Sequence, residues 1–333
     1  MIPIKHVVIF VKENHTFDNY FGAFLGANGE KLLHAKDPHP DQGHDHGAWL
    51  RDQGAIGGAK EQYLAADIPG YWAFAQQYTL CDNYFTDVAS QSEPNHLFLI
   101  AADSPLIDNS NTSRTYQPQP PFDIPSLPQG LEAAGRSWRS YSESHASYFS
   151  HIKALQGHRW NVPAARFDSD VASGSLPDVA WVYAPFGESE HPGNQTVRQG
   201  AAWTAQKVLQ IARSPLWAST AVIITWDDWG GWYDHVSAPK QATWGGTGPA
   251  GYPGSQFRYG PRVPCLVVSP YARVGINSHF YSHASVVKFC LRLFALKSWN
   301  AAALRAGDPS GDLFEAFDFT TAPRLAVPRI VPH

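Results

Sequence analysis

Ala221-Val-Ile-Ile-Thr-Trp-Asp-Asp-Trp-Gly-Gly-Trp-Tyr-Asp-His235 is an apolar run that stops at two adjacent acids and a glycine pair. The apolar and β-branched residues ahead of the acids predict a strand buried on both faces, and Gly230 and Gly231 predict the turn where the chain reverses. Asp227 and Asp228 then sit at a strand's carboxyl end, the edge at which an open α/β sheet forms its ligand crevice. Two neighbouring carboxylates repel each other and need a cation, a dense hydrogen-bond set or a shared proton. A bound divalent metal is the simplest of these, and an acidic turn lying in solvent is the plain alternative.

A second apolar run, His6-Val-Val-Ile-Phe-Val11, suits a central parallel strand and ends in Lys12-Glu-Asn-His-Thr-Phe-Asp-Asn-Tyr-Phe-Gly22. Glu13 and Asn14 therefore project from the same sheet edge as Asp227 and Asp228, if the two strands share one parallel sheet. Asn14 also suits a helix cap. Further strands are expected at Cys81 to Phe85, Asp178 to Tyr183 and Val263 to Ser269. Helices are expected over 68–80, from near Ser126 to Gly135, over 195–212 and over 284–296. Strands near 7, 82, 180, 223 and 265 alternating with helices predict an α/β/α sandwich on a mostly parallel sheet.

The polar loop 34–46 is rich in histidine, and His44 and His46 lie close enough to share a metal site; one of them is expected to face the crevice. Ser92, two residues ahead of Pro94, falls at a helix start, where the macrodipole favours phosphate and where capping alone would equally select serine. His191, in Glu188-Ser-Glu-His-Pro192, repeats the pattern of polar groups at a strand's exit. Residues 136–175 show little regular pattern and are expected to form an insertion over the crevice. Residues 237–262, rich in glycine, proline and aromatics, are expected to form a lid, and 300–333 to wrap the surface. The chain reads as one domain, 1–333, with insertion or lid segments near 103–175 and 237–262.

Composition narrows the class. The 333 residues are 44% hydrophobic, with 12 Trp, 14 Tyr and 18 Phe, which is enough for a large core and excludes disorder. A net charge of −4 without a basic cluster argues against nucleic-acid binding, since neutralising phosphates requires clustered Lys and Arg. Cys81, Cys265 and Cys290 have neither zinc-site nor disulfide spacing and read as core thiols. No run reaches the length of a membrane span, and the amino terminus, as given, carries no export leader. A leader removed earlier would leave the same sequence, so the compartment stays open.

The polar groups at four strand exits, Glu-Asn, Ser, Glu-His and Asp-Asp, are donors suited to one site. In order along the chain, Lys12 to Gly22, Leu80-Cys-Asp-Asn-Tyr-Phe85, Ser92-Glu-Pro-Asn95, Glu190-His-Pro192, Asp227 to His235, Ser282-His-Ala-Ser285 and Asp312 to Phe319 resemble the motifs of the bacterial phosphoesterase family of phospholipases C and an acid phosphatase. Plant non-specific phospholipases C are relatives. The resemblance implies an alkaline-phosphatase-like fold and a phosphoric ester hydrolase acting through a phosphoserine. It implies that Glu13, Asn14, Asp227 and Asp228 surround one divalent ion, Zn, Ca, Mn or Mg, which also touches Ser92. Ser92 is the implied nucleophile; His191, His283 and His44 or His46 are implied to hold phosphoryl oxygens or protonate the leaving alkoxide. Asn95, Trp229 and Trp232 are expected to contact a small phosphate ester or a phospholipid, although such aromatics are usually core. Ser90-Gln91 replaces the family's Gly-Pro, Asp228 its commoner Glu, and Ser282 an Asp. A sulfatase- or phosphomutase-like relative and a catalytically silent lipid- or carbohydrate-binding protein are the alternatives.

Overall fold

The computed structural model describes residues 2–112, 118–143, 147–245, 252–297 and 308–330. Its centre is an eight-stranded sheet built from β1 (His6–Lys12), β2 (Thr79–Cys81), β3 (Trp138–Tyr141), β4 (Asn161–Val162), β5 (Val179–Tyr183), β6 (Thr220–Trp226), β7 (Cys265–Val268) and β8 (Gly275–Asn277). The spatial order is β8-β2-β7-β6-β1-β5-β3-β4, and β7 alone runs against the others. Four of the five strands expected from sequence are in place; the one expected at Cys81 to Phe85 enters the sheet earlier, as β2, while Tyr84–Phe85 pairs apart from the sheet with Tyr281–Ser282. β1, β5 and β6 are buried almost throughout, as central parallel strands are.

Alternation along β1 sorts the helices into two layers. Phe10 meets Phe167 of α6 (Arg166–Ala172) and Trp203 of α7 (Val197–Ala212), with ring centroids 5.8 and 6.2 Å away. Ile9 points to the opposite face, in register with Trp181, whose indole N–H donates to the Leu99 carbonyl of α4 (Ser92–Ala101) at 3.2 Å. After the short helices α1 (Phe17–Phe21) and α2 (His46–Arg51), α3 (Pro69–Gln77) packs with α7, while α5 (Leu127–Ala133) and α8 (His283–Leu293) pack with α4. The result is the three-layer α/β/α sandwich. Among the described residues no helix is long and apolar enough to cross a membrane. The three cysteines are buried free thiols.

Two further expectations change. Residues 136–175 do not form only an insertion over the crevice: Trp138, Tyr141 and Val162 are apolar enough to extend the sheet through β3 and β4, and α6 packs behind them. The described part of 237–262 forms a short hairpin, Ala242–Thr243 against Gln256–Arg258. Its chain buttresses the loop before α4 rather than covering it, the Ala89 amide donating to the Phe257 carbonyl and the Thr86 amide to that of Pro261. Part of the segment expected to wrap the surface, 300–307 and 331–333, lies outside the described residues, as do 246–251 of the expected lid.

Candidate active site

β1 and β6 are parallel neighbours in register, with Lys12 beside Trp226, so the residues after each emerge at one level. The Asp227 amide donates to the Lys12 carbonyl at 2.9 Å, and the Asn14 amide returns to Asp227 Oδ1 at 2.9 Å. Asn14 takes a left-handed backbone (φ 62), which asparagine tolerates better than most side chains. Gly230 (φ 59) crosses it so closely that a Cβ would lie 2.3 Å from the Asn14 carbonyl oxygen. The glycine is required by both its backbone and its neighbour.

Ser92 is the first residue of α4 rather than its cap; Gln91 holds the cap position, and its own side chain makes no capping bond. Its hydroxyl donates to Asp228 Oδ2 at 3.1 Å, across 136 positions of sequence. The Glu93 amide is taken by Asn109 Oδ1 at 2.7 Å and Pro94 has none, so the helix start is not an open row of donors. Residues 13, 14, 92, 227 and 228 thus meet at one rim of the sheet.

His44 and His191 complete the rim. Each points Nδ1 at a main-chain carbonyl, that of Gln42 at 2.6 Å and of Pro192 at 2.8 Å. That fixes Nδ1–H as donor and leaves the Nε2 lone pairs facing the Asn14 amide nitrogen at 3.0 and 3.4 Å. The Asn14 Oδ1 is buried with no partner among the described residues. Burial opposes protonation of His191, but the charge of Glu13 and the Pro192 carbonyl raise its pKa above the ordinary imidazole value.

The acids differ. Burial and the charge of Asp227 push the Asp228 carboxyl well above its ordinary value. Burial acts on Asp227 too, yet the hydrogen bond and charge of His96 hold that group well below the usual range. His96, fully buried, is pushed up to about 10: desolvation opposes the shift, and Asp227 and Glu13 outweigh it. Three converging carboxylates, a serine hydroxyl and an orphaned amide oxygen are hard oxygen donors of one site, and this set fits a divalent cation.

Five of the expected site residues lie elsewhere. His283 is fully buried, accepting from the Tyr84 hydroxyl at 3.0 Å and donating to the Asp227 carbonyl at 2.8 Å. Burial lowers its pKa to about 4, so it is a neutral brace under the strand exit and faces no crevice. Asn95 brackets the loop before Ser92: its Oδ1 accepts from the Val88 amide at 2.8 Å, and its Nδ2 reaches the Gln91 carbonyl at 3.0 Å. Trp229 and Trp232 are wholly buried, the former donating to the His44 carbonyl at 2.9 Å, which makes them core supports. His46 turns inward as well, to the Ala89 carbonyl at 2.7 Å and Ser255 Oγ at 2.8 Å, leaving His44 as the loop's crevice residue.

Burial lowers the His46 pKa below its ordinary value. The unfolded chain therefore takes up the proton first, and stability present above about pH 6.5 falls as pH drops through that value. His46→Gln is expected to flatten this dependence, read as urea midpoints at pH 7.5 and 5.5; an unchanged difference between those midpoints rejects the assignment.

His96 is not among the site residues expected from sequence. It lies one turn after Ser92, so its ring emerges on the same helix face, a spacing that was visible in the sequence. A crevice of about 850 Å³ opens over the rim, lined by Glu13, Asp41, His44, Ser92, Tyr148 and His191, with the exposed Phe186 at its edge.

The chain is an α/β/α sandwich whose acids, serine and histidines gather at the carboxyl ends of its central parallel strands. The phosphoesterase family model matches residues 4–47 and 35–297, and the chain belongs to that family. It is 29% identical to the non-hemolytic phospholipase C of Pseudomonas aeruginosa over 95% of its own length, but spans only 57% of that relative. It is 26% identical to phospholipase C A of Mycobacterium tuberculosis, covering 99% of this chain and 80% of that one. Non-specific phospholipase C5 of Arabidopsis thaliana is 24% identical, over 99% of this chain and 77% of that one. Among solved structures, BT33336S-sulf, from work on glycosaminoglycan metabolism by Bacteroides thetaiotaomicron, aligns with a TM-score of 0.51 at 11% identity, covering 96% of this chain and 83% of that one. The lipoteichoic acid synthase LtaP of Listeria monocytogenes aligns at 0.50 and 9%, covering 88% and 72%. These two likenesses concern the fold alone.

Proposed function

We propose that the chain is a metal-dependent phosphoric ester hydrolase of phospholipase C or acid phosphatase type, acting through a phosphoserine. The observation that carries this reading is the Ser92 hydroxyl hydrogen-bonded to Asp228 at the rim where Glu13, Asn14 and Asp227 converge. Glu13, Asn14, Ser92, Asp227 and Asp228 would hold the divalent ion. When bound, it lowers the pKa of the serine hydroxyl and stabilises charge on the phosphoryl group.

Ser92 Oγ forms the bond to phosphorus as the bond to the leaving alkoxide breaks, and the serine proton passes to a carboxylate of the rim. Protonated at both ring nitrogens, which its raised pKa favours, His191 gives the Nε2 proton to the alkoxide, and His44, held in the same orientation by its own carbonyl, stands beside the phosphoryl group. Water then attacks phosphorus, the bond to Ser92 Oγ breaks, the serine recovers a proton and phosphate or a phosphomonoester departs. A crevice of about 850 Å³ has room for a leaving group as well as the phosphoryl. Its size and the Phe186 edge favour esters with a bulky, partly apolar alcohol, such as the diacylglycerol of a phospholipid.

Hydrolysis of p-nitrophenyl phosphate and p-nitrophenylphosphorylcholine, with and without chelator, tests the class; activity indifferent to chelator on both substrates rejects metal dependence. The role of His191 has its own signature. His191→Ala is expected to slow alkyl esters by about 10²-fold or more and p-nitrophenyl esters far less, because p-nitrophenolate leaves without a proton. Equal losses on both would remove it as the acid.

A further inference from the structure

We propose that His96 supplies a nitrogen ligand to the cation at the rim, so that the centre selects zinc or a similar transition ion over calcium and magnesium. This rests on the cation reading above and goes beyond it by adding a ligand and a selectivity. His96 Nε2 lies 3.1 Å from Asp227 Oδ2 and 3.7 Å from Glu13 Oε1. The three potential ligand atoms all lie within 4.8 Å of one another. Ligands about 2.0–2.1 Å from a tetrahedral zinc are separated by roughly 3.3 Å, so these atoms need only small shifts to share one ion.

The ring has little freedom to do anything else. It is fully buried, stacked on Tyr183 at 5.5 Å and 22°, with Tyr148 at 4.9 Å on another side. Among the described residues its Nδ1 has no partner and Nε2 is its one polar engagement, and that atom faces the carboxylates. Ser92, one helical turn away, directs its hydroxyl to the other acid of the same pair. Helix α4 thus delivers an oxygen and a nitrogen donor to one place.

Charge points the same way. Glu13, Asp227 and Asp228 bring three carboxylates together, and a divalent ion cancels two of their charges, where a hydrogen-bonding imidazole cancels one at most. The remaining donors are oxygens, a set that alone suits magnesium, calcium or manganese; an imidazole moves the preference toward zinc, nickel or copper.

Calorimetric titration of metal-stripped protein with Zn²⁺ and with Ca²⁺ reads the claim without turnover. Wild type is expected to prefer Zn²⁺, and His96→Gln, which keeps an oxygen donor of similar reach, is expected to lose at least ~10-fold in Zn²⁺ affinity with much less effect on Ca²⁺. Pulsed EPR on the Cu²⁺-loaded wild-type protein should detect imidazole nitrogen coupling that persists in His44→Ala and disappears in His96→Gln. Melting of the metal-free variants shows that each is folded, and the wild-type spectrum needs no variant. Zn²⁺ affinity unchanged by His96→Gln, equal losses for both ions, or nitrogen coupling that survives the substitution overturns the proposal while leaving the cation reading intact. A wild-type protein that binds neither ion overturns both.

Discussion

Ser92→Ala is expected to lower turnover of every phosphoric ester the protein cleaves by at least ~10³-fold, about 4 kcal/mol of transition-state stabilisation. The side chain is nearly buried and touches Asp228, so alanine removes one hydroxyl and creates no large cavity. Stability should therefore change little, and the loss should fall on kcat. Two measurements separate a nucleophile from a mere cation contact. Acid-quenched wild type should carry phosphate on the peptide containing Ser92, and Ser92→Ala should still bind a divalent ion through the three carboxylates. If the variant keeps more than a tenth of wild-type kcat, the phosphoserine route is wrong, however well the residues converge.

That convergence was readable because buried parallel strands are unbroken apolar runs, so the first polar residues after them mark the sheet's carboxyl edge. Glu13-Asn14 and Asp227-Asp228 follow β1 and β6 directly, and the register Lys12 to Trp226 brings them level. Strand exits thus made the acids visible without any knowledge of their contacts. Histidines gave no such cue. His44, His46 and His283 look alike in sequence, but His44 faces the rim while His46 and His283 spend their ring nitrogens on polar groups of the interior. Which way a ring turns depends on carbonyls and hydroxyls far along the chain. His96 gives a mixed cue: its one-turn spacing from Ser92 is legible, but it directly precedes the apolar run Leu97-Phe-Leu-Ile-Ala101 and so reads as a core residue. Strands β3 and β4 escaped because they are 4 and 2 residues long, too short for alternation to register.

A larger structural effect is expected beneath the rim. Lys12, Glu190 and Trp226 each immediately precede a residue of the site, namely Glu13, His191 and Asp227, and they meet in the core. Glu190 accepts from the Tyr20 and Tyr71 hydroxyls at 2.7 and 2.5 Å and from the Trp226 indole at 3.2 Å, and pairs with Lys12 Nζ at 3.1 Å. Burial pushes the Glu190 carboxyl up and the Lys12 amine down, so each charge depends on the other. Gly200 leaves room for the carboxylate chain: a Cβ there would stand 2.3 Å from Glu190 Cγ. Glu190→Gln keeps the shape but strands the lysine charge, and is expected to cost about 3–5 kcal/mol, a fall in Tm of about 4–7 °C for a chain of this length. The apolar double variant Lys12→Met with Glu190→Leu removes both charges and should recover much of that stability. Turnover should not recover with it, because three strand exits lose the group that sets their mutual position, and displacement by about 1 Å costs on the order of 10²-fold. Thermal melts and p-nitrophenyl ester hydrolysis on the three proteins decide this. A Glu190→Gln protein that melts with wild type would show the pair to be energetically idle, and a double variant with full turnover would reduce it to adhesive between strands.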